Sequence, residues 1–289
     1  MSALHYARPE SLADAIAILE QYGPGARVLN GGTDLMVRFQ KMQVTPEAIV
    51  DIKRVRDMSD AIVWDGDSVT IGARVVMTRL IRDERIRRRY PALVDAASTV
   101  GSIQIRNRAT LAGNICNASP AADTVPPLLV HGATVQLVGS SGSRETPLDG
   151  FFLAPGKTAR APDELLVSIT IPPHRSPYGA AFGRLTRRHG VDLASINMAC
   201  AIDAERAVTF AFGAVGPTPI TVKDTSGALA DHTVSDAQRD AALQALIART
   251  SPISDVRASA AYRSAMLLVI GRRVLAQAQQ RRADFDARE

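Results

Sequence analysis

Gly101-Ser102-Ile103-Gln104-Ile105-Arg106-Asn107-Arg108-Ala109-Thr110-Leu111-Ala112-Gly113-Asn114 decides how this chain is read, together with the shorter Val28-Leu29-Asn30-Gly31-Gly32-Thr33-Asp34-Leu35. Glycines in such runs let the backbone approach a ligand closely and turn successive N–H groups inward as an anion nest. The shorter stretch follows an apolar run, Arg27-Val28-Leu29, that reads as a strand. It precedes a helix expected from Leu35 to Gln40, whose N-terminus also favours negative charge. Thr33 and Thr110 add hydroxyl donors. Two such loops can hold a pyrophosphate from both sides, each hydrogen bond to a charged oxygen contributing roughly 1.5 to 3 kcal/mol. For Gly31-Gly32 alone, a tight strand-to-helix turn is the competing reading.

Working outward, Ser11 is an expected N-cap for a helix whose face carries Leu12, Ala15, Ile16 and Leu19 and which ends at Gly23. Ala48 to Ile52 reads as a strand, so the opening alternates as α/β. Ala61 to Trp64 and Ser68 to Ile71 flank Asp65-Gly66, a hairpin signal. Thr78 is expected to cap a helix to about Arg82, and Pro91 to open another over Ala92 to Ser98. Residues 99–126 break both periodicities and read as a long loop, which in a compact domain is usually functional. Strands are expected at Thr134 to Val138 and Leu165 to Ile171. After the proline-rich boundary Pro172 to Pro177 come strands at Ala180 to Leu185, Ser195 to Ile202 and Val208 to Val215. Helices over Ser235 to Arg249 and Ala260 to Gln280 follow.

The 289 residues, 46% of them hydrophobic, suffice for a sizeable core and about two domains. A net charge of +5 suits an anionic ligand or an acidic partner without demanding nucleic acid. The arginine cluster Arg82, Arg85, Arg87, Arg88, Arg89 has no interleaved aromatics to make a stacking platform, so it reads as a solvated helix end or a subunit contact. No basic run followed by an apolar core marks the N-terminus, and no apolar stretch approaches the roughly 18 to 20 residues of a membrane span. Two cysteines, Cys116 and Cys200, exclude a disulfide framework and point to a reducing compartment. They are also too few for an iron–sulfur cluster, which needs about four thiolates. The five histidines (5, 131, 174, 189 and 232) show no ligand spacing and are expected to be solvated or capping. Gly23-Pro24-Gly25 lacks the third glycine of a dinucleotide motif, and Gly156-Lys157-Thr158 lacks the P-loop glycine, with Phe151 in its place.

Together the two glycine loops resemble those of the FAD-binding medium subunits of the xanthine dehydrogenase and carbon monoxide dehydrogenase family. The resemblance continues through Ser119-Pro120-Ala121-Ala122-Asp123-Thr124-Val125-Pro126, Phe151 to Thr158, Glu164 to Ile169, Arg187-Arg188 with Asp192-Leu193-Ala194, and Asp255 to Arg263. It implies an α+β protein. A flavin domain of the vanillyl-alcohol-oxidase, or PCMH, type would occupy residues 1–175 as two α/β subdomains (about 1–55 and 56–175). A small α+β C-terminal domain, residues 176–289, would add an antiparallel sheet plus helices.

Position by position, the resemblance implies that Leu29, Asn30, Gly31, Gly32, Thr33, Asp34, Leu35, Thr110, Gly113 and Asn114 hold the FAD pyrophosphate. Asp123 would bind ribityl or ribose hydroxyls, Leu166 would line the isoalloxazine and Val100 would contact the adenine side. Arg187, Arg188 and Asp192 would approach the flavin, with a structural ion pair as the alternative. Ala112 stands where a glycine is usual, Asn30 where alanine is, and Gly183-Arg184 where relatives often place lysine. No side chain is assigned a catalytic or metal-binding role. Molybdopterin and two [2Fe–2S] clusters are expected on a large and a small partner chain, in a cytoplasmic dimer of heterotrimers serving an external electron acceptor. The rival readings are a self-sufficient flavin oxidase or reductase, a non-enzymatic binding module and, weakest, a nucleic-acid binder.

Overall fold

The computed structural model describes residues 4–231 and 233–285, so of the five histidines His232 lies outside the described residues. Ser11 caps the first helix as its sequence predicts, accepting from Asp14 N at 3.1 Å. The opening elements are β1 (His5–Ala7), α1 (Leu12–Tyr22), β2 (Ala26–Leu29), α2 (Leu35–Gln40) and β3 (Ala48–Asp51). They form a parallel sheet of order β1-β3-β2. The central strand β3 is buried at every position, as its unbroken apolar run requires. Buried Asp51 at its end is met by Tyr6 Oη and Lys53 Nζ, both at 2.6 Å.

Next come β4 (Ile62–Asp65), β5 (Ser68–Gly72), α3 (Met77–Arg82), α4 (Glu84–Arg89), α5 (Pro91–Ser98), α6 (Ile103–Arg106), α7 (Leu111–Asn117) and α8 (Val125–Val130). After them run β6 (Thr134–Gly139), β7 (Gly142–Pro147), β8 (Phe152–Ala154), β9 (Lys157–Thr158) and β10 (Leu165–Ile171). Five of these strands make an antiparallel sheet of order β4-β5-β10-β6-β7, and β8 pairs with β9. Two expectations are corrected. Residues 99–126 are not one loop but carry α6, α7 and α8, helices too short to show a 3.6-residue period. Thr78 caps nothing: α3 starts after Val76, and Thr78 Oγ1 donates to Asn107 Oδ1 at 2.7 Å. The arginine cluster falls at helix ends as expected, Arg82 in the last turn of α3 and Arg87, Arg88 and Arg89 in that of α4, with Arg82, Arg87 and Arg88 exposed and Arg89 held by Asp67 at 2.6 Å.

The last elements are β11 (Gly179–Leu185), β12 (Ile196–Ile202), β13 (Val208–Gly213), β14 (Ile220–Lys223), α9 (Asp236–Ile247) and α10 (Ala260–Ala283). The four strands form an antiparallel sheet in sequence order. Both faces are covered. Ala181, Met198, Cys200, Phe210 and Phe212 pack in one apolar cluster with Leu243, Leu267 and Val274 of α9 and α10. Ala180, Phe182, Ala199, Ala201 and Ala211 join the larger cluster of the preceding sheets. That double burial is why β12 is apolar at nearly every position. The fold is α+β. No helix among the described residues is long and apolar enough to cross a membrane.

His131 departs from expectation. It stands at the C-cap of α8 but is buried, with Nδ1 3.1 Å from His174 Nε2 and its ring edge-on to Tyr90. His174 stacks on Tyr178 at 4.0 Å. Burial, with His174 alongside, holds the His131 imidazole well below its usual range. Burial, then the Arg89 charge, lowers His174 to about 4. Both rings therefore stay neutral in the folded chain, while in the unfolded chain they take up protons near pH 6.5. Stability is full above that pH and falls as the pH drops toward 4. Urea midpoints measured across this range should show the loss, and His174→Phe, which keeps the ring stack, should make it shallower. An unchanged slope would contradict this account.

Candidate cofactor site

Backbone contact brings the two glycine loops together. A Cβ added at Gly31 would stand 2.2 Å from the Arg108 carbonyl oxygen, so no other residue fits there without moving one loop. Gly32 adopts φ +77°, a left-handed conformation that glycine enters without strain. Asn30 Nδ2 donates to Thr110 Oγ1 at 3.0 Å and to the Ala73 carbonyl at 2.8 Å. Met77 N donates to Ala109 O at 2.8 Å, and Val76 bridges to Thr110. The segment after β5 thus forms a third wall.

Thr110 caps α7, accepting from Gly113 N at 3.0 Å. Its Oγ1 takes two donors, which leaves its own O–H without an acceptor among the described residues. The amides of Gly31, Gly32, Thr33 and Asp34 likewise find no backbone acceptor among the described residues. Leu29 is buried at the end of β2, Leu35 opens α2 half-buried, and Asp34 is exposed. Leu166 is buried in β10, whose Val167 carbonyl accepts from Ala73 N at 3.0 Å, so that strand backs the same wall.

Asp123 lies beside the C-terminal sheet and is linked to the loops through Asn114, while the half-buried Val100 accepts at its carbonyl from Arg106 Nη1 at 3.1 Å. Thr124 Oγ1 donates to Asn114 Oδ1 at 2.7 Å. Next to Thr124, the buried Asp123 carboxylate receives Arg184 Nη1, Asn197 Nδ2 at 2.8 Å and Thr99 Oγ1 at 3.2 Å. Burial pushes this carboxyl up, while Arg184, Asn197 and Thr99 pull it down. A carboxylate offers about four acceptor positions, so roughly one remains for a ligand hydroxyl.

Residues 2–174 match the family model described as the FAD binding domain in molybdopterin dehydrogenase, and residues 180–278 match the CO dehydrogenase flavoprotein C-terminal domain. The xanthine dehydrogenase FAD-binding subunit of Escherichia coli O157:H7 is 31% identical over 278 residues, covering 94% of this chain and 95% of that one. The carbon monoxide dehydrogenase medium chain of Hydrogenophaga pseudoflava is 31% identical, covering 90% and 92%. A solved carbon monoxide dehydrogenase from the same organism superposes with a TM-score of 0.89 at 31% identity, covering 96% of this chain and 98% of that one. The chain belongs to the FAD-binding medium subunits of the xanthine and carbon monoxide dehydrogenase family. It is an oxidoreductase subunit, and its cofactor is FAD.

The residues present fit that cofactor. Four consecutive loop amides and a threonine hydroxyl are donors in want of an anion. The family's departures in this chain are also accounted for. Ala112 is helical, within α7, so it costs little where glycine is usual; the left-handed position falls at Ala118, φ +47°. Asn30 replaces alanine and uses its amide to tie the loops. Arg187 and Asp192 form the ion pair, at 3.0 Å, and Arg188 donates to the Val191 carbonyl.

Ala73, Thr99 and Asn197 escaped the sequence reading. Asn197 alone left a signal, an amide in an otherwise apolar buried strand. Arg184 registered only as a departure. Arg184→Met should strand the Asp123 carboxylate without its cation and cost roughly 3 to 5 kcal/mol in chemical denaturation. The double variant with Asp123→Leu should recover a large part of that loss. Additive losses would show that the pair is not coupled.

Proposed function

We propose that this chain is the electron-transferring FAD subunit of a multi-subunit molybdenum hydroxylase. Residues 1–175 would form the flavin domain, with subdomains near 1–55 and 56–175, and residues 176–289 the domain that closes over it. Leu29 to Leu35 with Thr110, Gly113 and Asn114 hold the pyrophosphate. Asp123 orients ribityl or ribose hydroxyls, and Leu166 and Val100 line the ring systems. When bound, FAD supplies the exchange between single-electron and two-electron transfer. The side chains bind and orient it, and none is required as an acid or base.

The electrons come from two [2Fe–2S] clusters on a small partner chain, fed by a large molybdopterin chain, and leave to an external acceptor. The assembly is a cytoplasmic dimer of heterotrimers. One observation carries the reading: the Gly31–Arg108 backbone contact beside four unpaired loop amides.

The purified chain should show an oxidised-flavin absorbance spectrum and release FAD on acid treatment. Gly31→Ala should separate the loops and abolish retention of FAD, while Gly227→Ala, at an open surface turn, should keep it. A colourless chain that cannot be reconstituted with FAD would sink the site assignment. Steady turnover of an organic substrate by the isolated chain would favour a self-sufficient flavoenzyme instead.

A further inference from the structure

Where the two glycine loops meet, the Thr110 hydroxyl has no acceptor capacity left. A hydroxyl offers two acceptor positions and one proton. Gly113 N fills one position and Asn30 Nδ2 the other, each at 3.0 Å. The first bond is the cap of α7 and stays within its own loop. The second crosses from the other loop, 80 residues away in the chain. The Thr110 proton is therefore turned away from both donors. Thr110 is also buried, so a proton without an acceptor there is costly until a ligand oxygen meets it.

Asn30 is committed just as fully. Its amide spends one proton on Thr110 and the other on the Ala73 carbonyl at 2.8 Å. Turned over, the amide would set its oxygen against the Ala73 oxygen, two acceptors with no proton between them. Asn30 is thus locked as a donor, and Thr110 with it. Were the amide absent, a water in its place would donate to the Ala73 carbonyl and accept from Thr110. The hydroxyl would then spend its proton inside the protein, and the cofactor cradle would lose a donor.

We propose that Asn30 is a positioning residue for FAD: by donating to Thr110 it reserves the Thr110 proton for a pyrophosphate oxygen. This rests on the cofactor-site reading above. The FAD-free full-length chain is titrated with FAD, and Kd is read from flavin fluorescence. Asn30→Ala should raise Kd roughly tenfold or more, the loss of one hydrogen bond to a charged oxygen. In a Thr110→Ser background, which keeps the hydroxyl, Asn30→Ala should do the same. In a Thr110→Val background, which removes it, Asn30→Ala should change Kd by less than about twofold. Equal losses in all three backgrounds overturn the proposal and leave Asn30 a structural tie between loops. An unchanged Kd in Asn30→Ala alone overturns it too. Should a Thr110 variant fail to fold, the isosteric Asn30→Asp decides. Its carboxylate would take the Thr110 proton, so FAD binding should be lost at about pH 8 and return as the new carboxyl is protonated toward about pH 5. An affinity that follows the wild-type pH profile overturns the proposal. A wild-type chain that binds no FAD overturns the cofactor-site reading, and this role of Asn30 with it.

Discussion

Everything where the two glycine loops meet depends on the absence of a side chain at Gly31. The Arg108 carbonyl occupies the space a Cβ would need, so two loops far apart in sequence meet backbone to backbone. That contact explains the surrounding choices. Asn30 can reach both Thr110 and Ala73 only because the loops touch, and Thr110 can cap α7 and receive Asn30 at once. The strands set the approach: β2 delivers the first loop from the parallel sheet, and β5 delivers Ala73 from the antiparallel one. Two sheets of different type thus converge on one edge, where strand ends leave backbone donors unpaired.

Arginine does the comparable work in the C-terminal part. Only four of the 34 basic residues are lysine, Lys41, Lys53, Lys157 and Lys223. Guanidinium forks can bind two or three carbonyls or carboxylates at fixed angles, which an ammonium cannot. Arg263 shows the principle: fully buried in α10, it donates to the Ser195 and Ala214 carbonyls and to Asp255. It thereby fixes the ends of β12 and β13 against the helix. The positive net charge is therefore largely structural.

Elements that bury one face were legible from the chain. The apolar spacing of α1, the run Ala48-Ile49-Val50 of β3 and the mostly apolar β10 were readable because burial imposes a period or a run. Elements without such a face were not. β7 is exposed at nearly every position, and α6 and α8 are too short for a period. The glycine loops were legible as places of close backbone approach, which Gly31 and Gly32 take up, but glycine density by itself does not separate a turn from an anion site. The companions of Asp123 were not, since Arg184 and Asn197 come from distant strands and no local spacing joins them to it. His131 misled for a related reason: nothing beside it in sequence announces that His174 and Tyr90 will enclose it.

Asp123 links the two halves of the argument. A carboxylate this buried is costly unless cations and donors compensate it, and the compensation comes mostly from β11 and β12 rather than from its own domain. The C-terminal sheet thus holds Asp123 in place even though the glycine loops lie outside it. Arg184 extends the same linkage outward, because the guanidinium that neutralises Asp123 also holds the Asp192 carbonyl. Arg184 thus couples the β11–β12 loop to the buried carboxylate, beside the Arg187, Arg188 and Arg257 contacts that also hold that loop.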